Sequence, residues 1–260
     1  MISAHRLGVG WSVGPGGLRQ ALDELAALGI DYVEFDLQRC VDGVVVAVHD
    51  ATVTIAGRER WIGEVTFAEL AAHLPDLFRY DDLLGALAAT GLGAHIDLKF
   101  TSPSYADPER VWEVQAVARA VQVLGVARVV ATTKHAESVL ALRTWADQQR
   151  IALRVGLSLG TGTRGLPLGR AARQVWGELF PGRRFAAVRA NVMVAHYSLA
   201  RLTLARFARR RGLPLLVWTV DSPRGLAYWL RPGRAWLVTT NRPLQAVKFL
   251  GTRDRHSLSP

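Results

Sequence analysis

The sequence predicts an α/β protein folded as a single-domain (β/α)8 TIM barrel. Three observations lead to this fold: eight short apolar runs rich in β-branched residues, helix-type repeats between them, and a length of 260 residues. Strands that alternate with helices pair in parallel, and eight parallel strands close economically into a barrel. Such barrels typically take roughly 250 residues in one domain.

The candidate strands are short apolar runs, namely Ile2–Arg6, Tyr32–Arg39, Ala94–Lys99, Arg128–Thr133, Ala152–Leu159, Phe185–Val194, Leu215–Val220 and Trp236–Thr240. The candidate helices carry apolar residues three and four positions apart, the helical period, and are Leu18–Leu28, Val111–Leu124, Ala136–Gln149, Leu199–Arg211 and Arg224–Leu230. The run Val44–Val48, turned at Asp42-Gly43, predicts a hairpin-like extension. A doubly wound open sheet is the rival fold, but no Gly-x-Gly-x-x-Gly segment follows the first strand into a helix.

One domain accounts for nearly the whole chain. Half of the residues are hydrophobic, which is enough for a sizeable core and argues against disorder. We expect residues 1–250 to form the barrel and Gly251–Pro260 to form a polar C-terminal tail, because terminal residues without packing partners usually fray.

The net charge is +10, and almost all of the positive charge comes from arginine. A basic protein attracts anionic ligands, and we expect a small phosphodiester substrate. Peripheral contact with an anionic membrane is a second partner that this charge permits. We expect no nucleic acid, because aromatic and basic residues do not interleave as they do in single-strand binders. The oligomeric state stays open.

The cysteine content and the first residues bear on location. Cys40 is the only cysteine, so no disulfide can form within the chain, as is usual in a reducing compartment. The start, Met1 to Arg6, lacks the apolar segment of a signal peptide. We therefore expect a cytoplasmic protein.

Acidic residues gather at the carboxyl ends of two predicted strands, where barrel enzymes place functional groups. Glu34 and Asp36 lie two positions apart and share one face of a strand, and Asp97 lies in the next barrel strand. Carboxylates so close together repel one another unless a cation lies between them. An all-oxygen site suits one divalent cation, Mg²⁺ or Ca²⁺, better than zinc.

Two histidines and two basic residues accompany these acids. His5 and Arg6 end the first predicted strand, Lys99 shares the face of Asp97, and His49 follows the extension. A cation and the basic side chains would stabilise charge on phosphoryl oxygens. One imidazole would take a proton from the attacking hydroxyl or water, and the other would protonate the leaving alkoxide.

The sequence resembles the glycerophosphodiester phosphodiesterase family, within the phosphatidylinositol-phosphodiesterase-like barrels. The matching stretches follow the family order and are Ala4-His5-Arg6, Gly29 to Asp36, Asp42-Gly43, Val48-His49-Asp50, Thr66 to Leu70, Ile96 to Lys99, Val217 to Val220 and Val238 to Pro243. The N-terminal motifs are specific, whereas residues 100 to 210 match only as a barrel pattern.

The resemblance implies a role for eight residues. It implies His5 and His49 as catalytic residues, Arg6, Lys99 and Trp218 as substrate-binding residues, and Glu34, Asp36 and Asp97 as metal ligands. Both the residue patterns and the resemblance select the same acids and histidines.

Three positions depart from the family pattern. Gly14-Pro15-Gly16-Gly17 stands where the family usually has Pro-Glu-Asn-Thr, which leaves the substrate open. Asp97 replaces the usual Glu, as in the sphingomyelinase D-like barrels. Asn241 replaces the Asp of a Thr-Asp-x-Pro motif, and we expect it to cap the last helix.

We expect metal-dependent hydrolysis of glycerophosphodiesters to an alcohol and glycerol phosphate. Direct attack by water and attack by a neighbouring substrate hydroxyl both stay open. The alternatives are phospholipase D-type cleavage of phospholipid headgroups and a barrel that binds a phosphate ligand without catalysis.

Other polar residues are expected to have structural roles. His95 shares the face of Asp97 one layer deeper, which favours packing or support of the site over catalysis. Cys40 is expected to be a small buried group. Ser158, Thr161 and Thr163 are expected to belong to a glycine-rich loop at the barrel mouth.

Overall fold

Eight parallel strands close into a barrel in the computed structural model, which describes residues 1–8, 14–160 and 167–256. In chain order the strands are β1 Ile2–Ala4, β2 Tyr32–Arg39, β3 Val45–Ala47, β4 Thr52–Ile55, β5 Arg58–Trp61, β6 Phe78–Arg79, β7 Gly93–Leu98, β8 Val129–Thr133, β9 Arg154–Leu159, β10 Val192–His196, β11 Leu215–Trp218 and β12 Leu237–Thr240. The barrel order is β1-β2-β7-β8-β9-β10-β11-β12. It closes because β1 pairs in parallel with both β2 and β12.

The helices surround this barrel on the outside. In chain order they are α1 Gly14–Ala27, α2 Phe67–His73, α3 Tyr80–Ala88, α4 Trp112–Leu124, α5 Ala136–Gln148, α6 Leu168–Leu179, α7 Gly182–Ala187, α8 Tyr197–Leu199, α9 Ala205–Arg210, α10 Pro223–Trp229 and α11 Pro243–His256. A π-helical turn at Ala200–Leu204 joins α8 to α9. Short 3₁₀ turns lie at His5–Gly8, Ile62–Glu64, Pro108–Arg110 and Val126–Arg128. The (β/α)8 prediction is therefore confirmed.

The segment between β2 and β7 is an elaboration on the barrel. The predicted extension is present, because β3 pairs antiparallel with β2. The β4–β5 hairpin and α2 follow, and apolar side chains of this segment, among them Cys40, Val53 and Leu70, form a small core of their own. Cys40 is fully buried and unpaired, as expected. The segment carries His49 to the edge of the barrel mouth.

Two predicted segments differ from the structure in the kind of element that they form. The predicted strand Phe185–Val194 is wrong in its first half: α7 ends at Ala187, and β10 begins only at Val192. Helical spacing explains the error, because Phe185 and Val188 lie three positions apart and are both buried in the core. At the C-terminus α11 extends as far as His256, so much of the predicted tail is helix; residues 257–260 lie outside the described part.

Alternation along the strands creates the floor of the barrel mouth. Tyr32, Val130, Leu216 and Leu237 are buried inside the barrel and belong to one apolar cluster. The residue two positions further along each strand faces the same interior, one layer closer to the carboxyl end. Those residues form part of the wall of the barrel mouth.

Candidate active site

All eight residues predicted for the site line one cavity at the carboxyl end of the barrel. The cavity has a volume of about 370 Å³. Its wall includes four residues that lie two positions after the apolar floor: Glu34, Thr132, Trp218 and Thr239. The structure therefore brings the predicted residues together in one cavity.

Three carboxylates converge at the inner end of this cavity. Asp36 lies opposite Asp97 in the parallel register of β2 and β7, and Glu34 precedes Asp36 by two positions on the same face. One oxygen from each lies within 4.8 Å of the others. Glu34 and Asp36 are almost fully buried. This arrangement could hold a divalent cation.

The electrostatics of the acids fit a cation. Burial, together with the charges of Asp36 and Asp97, raises the pKa of Glu34 well above its usual range. Among the described residues, Asp36 Oδ2 is one of the few buried side-chain atoms without a hydrogen-bond partner. A buried carboxylate oxygen without a donor is costly, and a cation ligated there would remove that cost.

Lys99 already compensates part of this negative charge. Its ammonium lies 3.0 Å from Asp36 Oδ1 and also bonds to Asp97 Oδ2. Burial alone would lower the pKa of Lys99, but the Asp97 and Asp36 carboxylates outweigh it and raise the pKa above its usual value. Lys99 therefore stays charged at the edge of the acidic cluster.

The turn after β1 places Arg6 beside Glu34. Arg6 and Leu7 adopt left-handed backbone angles, with φ of 50° and 60°, which are unfavourable for residues other than glycine. In this turn the backbone N–H of Arg6 donates to Glu34 Oε2 at 2.9 Å. The same turn ends the predicted strand Ile2–Arg6 two residues early, at Ala4.

His5 lies between the acidic cluster and the end of β12. Its Nε2 is 3.7 Å from Glu34 Oε2, and a hydrogen bond of 2.6 Å joins its Nδ1 to Asn241 Oδ1. Burial lowers the pKa of His5, while the hydrogen bond to Asn241 opposes the shift. Asn241 was expected to cap the last helix; its side chain contacts His5 and Asp221 instead.

His49 lies on the other side of the cavity, on the elaboration. Its Nδ1 donates to Asp50 Oδ1 at 2.8 Å. His49 and Arg6 also line a neighbouring cavity of about 490 Å³ bounded by residues 74–77. His49 thus stands where the two cavities meet, accessible from both.

Trp218 forms part of the wall at the end of β11. Its ring meets the His196 ring edge to face, with centroids 5.6 Å apart. The peptide bond between Trp218 and Thr219 is cis. Trp218 therefore gives the cavity an apolar side opposite the acids.

His95, which we expected to support the site, is a buried residue of the same cavity wall. Its Nδ1 is 3.2 Å from Ser3 Oγ and its Nε2 is 3.3 Å from Thr132 Oγ1. Burial lowers the pKa of His95 to about 4. Thr132 also donates to Asp97 Oδ1 at 3.0 Å, so His95 is connected to the acidic cluster through one hydroxyl.

Sequence reasoning missed three polar residues of this region: Thr132, Lys134 and Asp221. Thr132, within β8, and Lys134, just after it, line the cavity in a region where the family resemblance gives only a barrel pattern. The position of Lys134 just beyond a strand end was a usable signal. Ser158 lines the cavity too, whereas Thr161 and Thr163 lie outside the described residues.

Comparisons with known proteins find a family and a set of solved structures that this chain resembles. The model of the glycerophosphoryl diester phosphodiesterase family matches residues 20–245. Searching curated protein sequences gives no match. Many solved structures resemble the chain in fold.

Three of these structures illustrate the likeness. A glycerophosphodiester phosphodiesterase from Parabacteroides distasonis has 19% identity and a TM-score of 0.68, with 97% of each chain covered. One from Agrobacterium tumefaciens has 19% identity and a TM-score of 0.62, covering 95% of this chain and 98% of that one. A phosphodiesterase from Oleispira antarctica, in complex with the product sn-glycerol-3-phosphate, has 16% identity and a TM-score of 0.65, covering 98% and 96%.

Likeness at these identities shows the fold, and the family match adds the chemistry. It spans most of the chain and contains six of the eight residues predicted for the site, all except His5 and Arg6; the matched region ends just beyond Asn241. The chain therefore belongs to the glycerophosphoryl diester phosphodiesterase family and is a phosphodiesterase.

Proposed function

We propose that the enzyme hydrolyses glycerophosphodiesters to an alcohol and glycerol phosphate, with His5 and His49 as the groups that transfer protons. The observation that carries this proposal is the cavity itself, which brings two imidazoles, two basic side chains and three carboxylates together. The Oleispira antarctica phosphodiesterase, whose structure contains the product sn-glycerol-3-phosphate, supports the assignment of glycerol phosphate.

Glu34, Asp36 and Asp97 would hold one divalent cation, Mg²⁺ or Ca²⁺. All three donors are carboxylate oxygens, which are the ligands that these hard cations prefer. The raised pKa of Glu34 and the unpartnered Asp36 Oδ2 both support a cation at this position. When bound, a divalent cation there supplies charge neutralisation and polarises a phosphoryl oxygen.

The basic residues bind and orient the phosphate. Arg6 points into the cavity and its buried Nε is without a hydrogen-bond partner among the described residues. Lys99 lies at the same wall and keeps its charge through Asp97 and Asp36. Preorganised donors of this kind stabilise the charge that develops on the phosphoryl oxygens. Trp218 limits where the rest of the substrate lies.

The imidazoles of His5 and His49 carry out the proton transfers. One takes the proton of the attacking hydroxyl, and the other protonates the alkoxide that leaves. Because His49 stands at the junction of two cavities, the alcohol fragment can depart from its side. Attack by water and attack by a neighbouring substrate hydroxyl both fit this arrangement.

The test uses purified protein and a panel of soluble diesters such as glycerophosphocholine. We expect His5→Ala and His49→Ala each to reduce turnover by roughly 10²-fold or more, the usual contribution of general acid–base catalysis. Chelation with EDTA should abolish activity reversibly. His73→Ala, which changes an exposed histidine in α2, is the control. A His5→Ala protein that cleaves diesters at the native rate would refute the mechanism.

Phospholipase D-type cleavage of membrane lipids is the second candidate, and one surface feature favours it. Trp176 and Phe180 are exposed and contact each other, with ring centroids 4.7 Å apart. The exposed Arg183 and Arg184 follow them, and Arg184 donates to the carbonyl of Lys134, which lines the cavity. Aromatic and basic groups together suit the interface of an anionic membrane. Among the described residues, no helix has both the length and the apolar character needed to cross a bilayer.

Vesicles separate the two candidates. If lipid is the substrate, the protein should co-sediment with anionic vesicles and cleave their headgroups, and a Trp176→Ala/Phe180→Ala double variant should lose both properties. Leu140→Ala, at an exposed apolar residue on α5, is the matched control. Cleavage of soluble diesters with no vesicle binding excludes the lipid function. Binding of sn-glycerol-3-phosphate without turnover of either substrate would instead indicate the non-catalytic barrel.

The buried, unpaired Cys40 accords with a reducing compartment, and we propose a cytoplasmic location on that ground.

A further inference from the structure

The two histidines of the site have different partners. His49 Nδ1 contacts the carboxylate of Asp50, whereas His5 Nδ1 contacts the side-chain amide of Asn241. A carboxylate only accepts hydrogen bonds, but an amide can present either its oxygen or its NH₂ group. The amide therefore leaves the position of the His5 proton undecided until something fixes how Asn241 is oriented.

Asp221 fixes that orientation. Asp221 Oδ2 accepts a hydrogen bond of 2.7 Å from Asn241 Nδ2, while its Oδ1 accepts bonds from Asn241 N and Thr240 Oγ1 at 2.8 and 3.1 Å. Since Asp221 is an acceptor, the NH₂ group of Asn241 must face it. Turning the amide by 180° would set oxygen against oxygen.

With the amide so oriented, only its oxygen can face His5. Asn241 Oδ1 lies 2.6 Å from His5 Nδ1 and has no proton to give. Nδ1 must therefore carry the proton of the neutral imidazole, which leaves Nε2 bare. The bare nitrogen points to the acidic cluster, 3.7 Å from Glu34 Oε2.

We propose that Asn241 and Asp221 are positioning residues that hold His5 in the tautomer with its proton on Nδ1. The proposal rests on the proposed function, in which His5 faces the reacting phosphate. A bare Nε2 can accept a proton, so His5 takes the proton of the attacking hydroxyl. His49 then donates the proton to the alkoxide that leaves, and the two steps balance within one hydrolysis.

The contact between His5, Asn241 and Asp221 depends on closure of the barrel, because these residues lie far apart along the chain. His5 follows β1, and Asn241 follows β12, which pairs with β1 with Ala4 opposite Thr240. Asp221 comes from the loop after β11, the next strand in the barrel. Three neighbouring strand ends therefore supply the histidine, its acceptor and the group that orients the acceptor.

The test reads the tautomer directly in protein labelled with ¹⁵N at histidine. Long-range ¹H–¹⁵N correlation spectra of metal-free protein, recorded at a pH where the imidazoles are neutral, distinguish a proton on Nδ1 from one on Nε2. We expect the wild-type His5 to carry it on Nδ1. In Asp221→Asn the amide of Asn241 is free to turn, and in Asn241→Leu the acceptor is gone, so both variants should gain the Nε2-protonated form.

Kinetics give the second measurement. A His5 with its proton on Nε2 has no bare nitrogen toward the substrate, so kcat should fall by roughly 10²-fold or more while KM changes little. Asp82→Asn makes the same chemical change at an exposed site on α3 and is the matched control. The His49 resonances act as an internal reference and should be the same in all variants.

Two results would overturn the proposal. One is a wild-type His5 that carries its proton on Nε2; this result does not depend on whether any variant folds. The other is an unchanged tautomer and kcat in both Asp221→Asn and Asn241→Leu. Because the spectra need no turnover, they stand apart from the proposed function, which fails if the wild-type enzyme cleaves no glycerophosphodiester.

Discussion

Burial determines the protonation state of His95, a polar residue of the barrel interior. His95 is 3% exposed, and burial lowers its pKa to about 4. In the unfolded chain the imidazole has its ordinary pKa of about 6.5. The unfolded chain therefore binds more protons than the folded one between these two values, and stability should decrease as the pH falls through that window.

We expect the free energy of unfolding to fall by about 3 kcal/mol between pH 6.5 and pH 4 through His95 alone. Urea unfolding at a series of pH values measures it, and His95→Gln, which cannot be protonated, should reduce the slope. His73→Gln is the control at an exposed histidine. An identical slope in wild type and His95→Gln would show that His95 does not contribute.

Glu113 is a second buried polar residue, and its neighbours hold its side chain in place. It is fully buried on α4 and accepts hydrogen bonds from three hydroxyls: Ser102 and Ser138 at 2.5 Å and Tyr105 at 2.8 Å. These bonds tie the segment after Lys99 to α4 and α5. Glu113 thereby stabilises the loop that follows a residue of the site.

Glu113→Gln should destabilise the fold by about 2 kcal/mol, because an amide NH₂ would replace an oxygen that accepts charge-assisted hydrogen bonds. Urea unfolding at pH 7 measures the change. Glu109→Gln, an exposed position on the neighbouring turn, should change stability by less than about 0.5 kcal/mol. Equal effects of the two substitutions would show that the buried hydrogen bonds do not matter.

At the scale of elements, close approach of strands limits side-chain size inside the barrel. A Cβ atom at Gly156 in β9 would lie 2.2 Å from Val194 Cγ2 and 3.3 Å from the Val192 carbonyl oxygen. Real side chains do not approach so closely, so β9 and β10 pack at this distance because position 156 is glycine. Gly85 in α3, by contrast, has open space around it.

Gly156→Ala should therefore destabilise the protein by about 1–3 kcal/mol through overpacking. The same substitution at Gly85 should stabilise it by about 0.5–1 kcal/mol, because alanine favours the helix. Thermal and urea unfolding of both variants give the comparison. If Gly156→Ala were as stable as wild type, β10 would have room that the structure does not show.

Sequence patterns predicted an element correctly where its buried residues recur with a single period, that of a strand or that of a helix. β2 and β7 alternate between barrel interior and helix-facing core, and their polar positions were identified correctly. The predicted strand over 185–194 failed because Phe185 and Val188 suit either a strand or a helix when only a few residues are considered. Packing of Phe185 against Phe207, 6.1 Å between ring centroids, decides in favour of helix.

At the scale of the molecule, the acidic cluster couples cation binding to folding. The charges of Asp36 and Asp97 together with burial raise the pKa of Glu34, and a bound cation would offset this repulsion. Whatever binds the folded state alone stabilises it by mass action. The cation should therefore act on the whole barrel, because β2 and β7 carry its ligands and lie within the closed sheet.

Mg²⁺ or Ca²⁺ at about 100 times its Kd should stabilise the wild-type protein by about 2.7 kcal/mol and raise its Tm. The gain should increase with pH, because Glu34 must lose its proton to ligate. Asp36→Asn should remove most of the gain, whereas Asp82→Asn should retain it. Equal Tm values in EDTA and in either cation would contradict a metal site at these acids.

The sequence by itself determined the fold class, because strand and helix periods are local properties and their alternation leaves few topologies. It also determined the acids, histidines and basic residues that line the cavity, because strand ends in a parallel barrel meet at one edge. Only the tertiary structure decided that Asn241 contacts His5 and that Asp221 contacts Asn241. Closure of β1 against β12 places residues 236 positions apart within one hydrogen bond, and no local pattern records that contact.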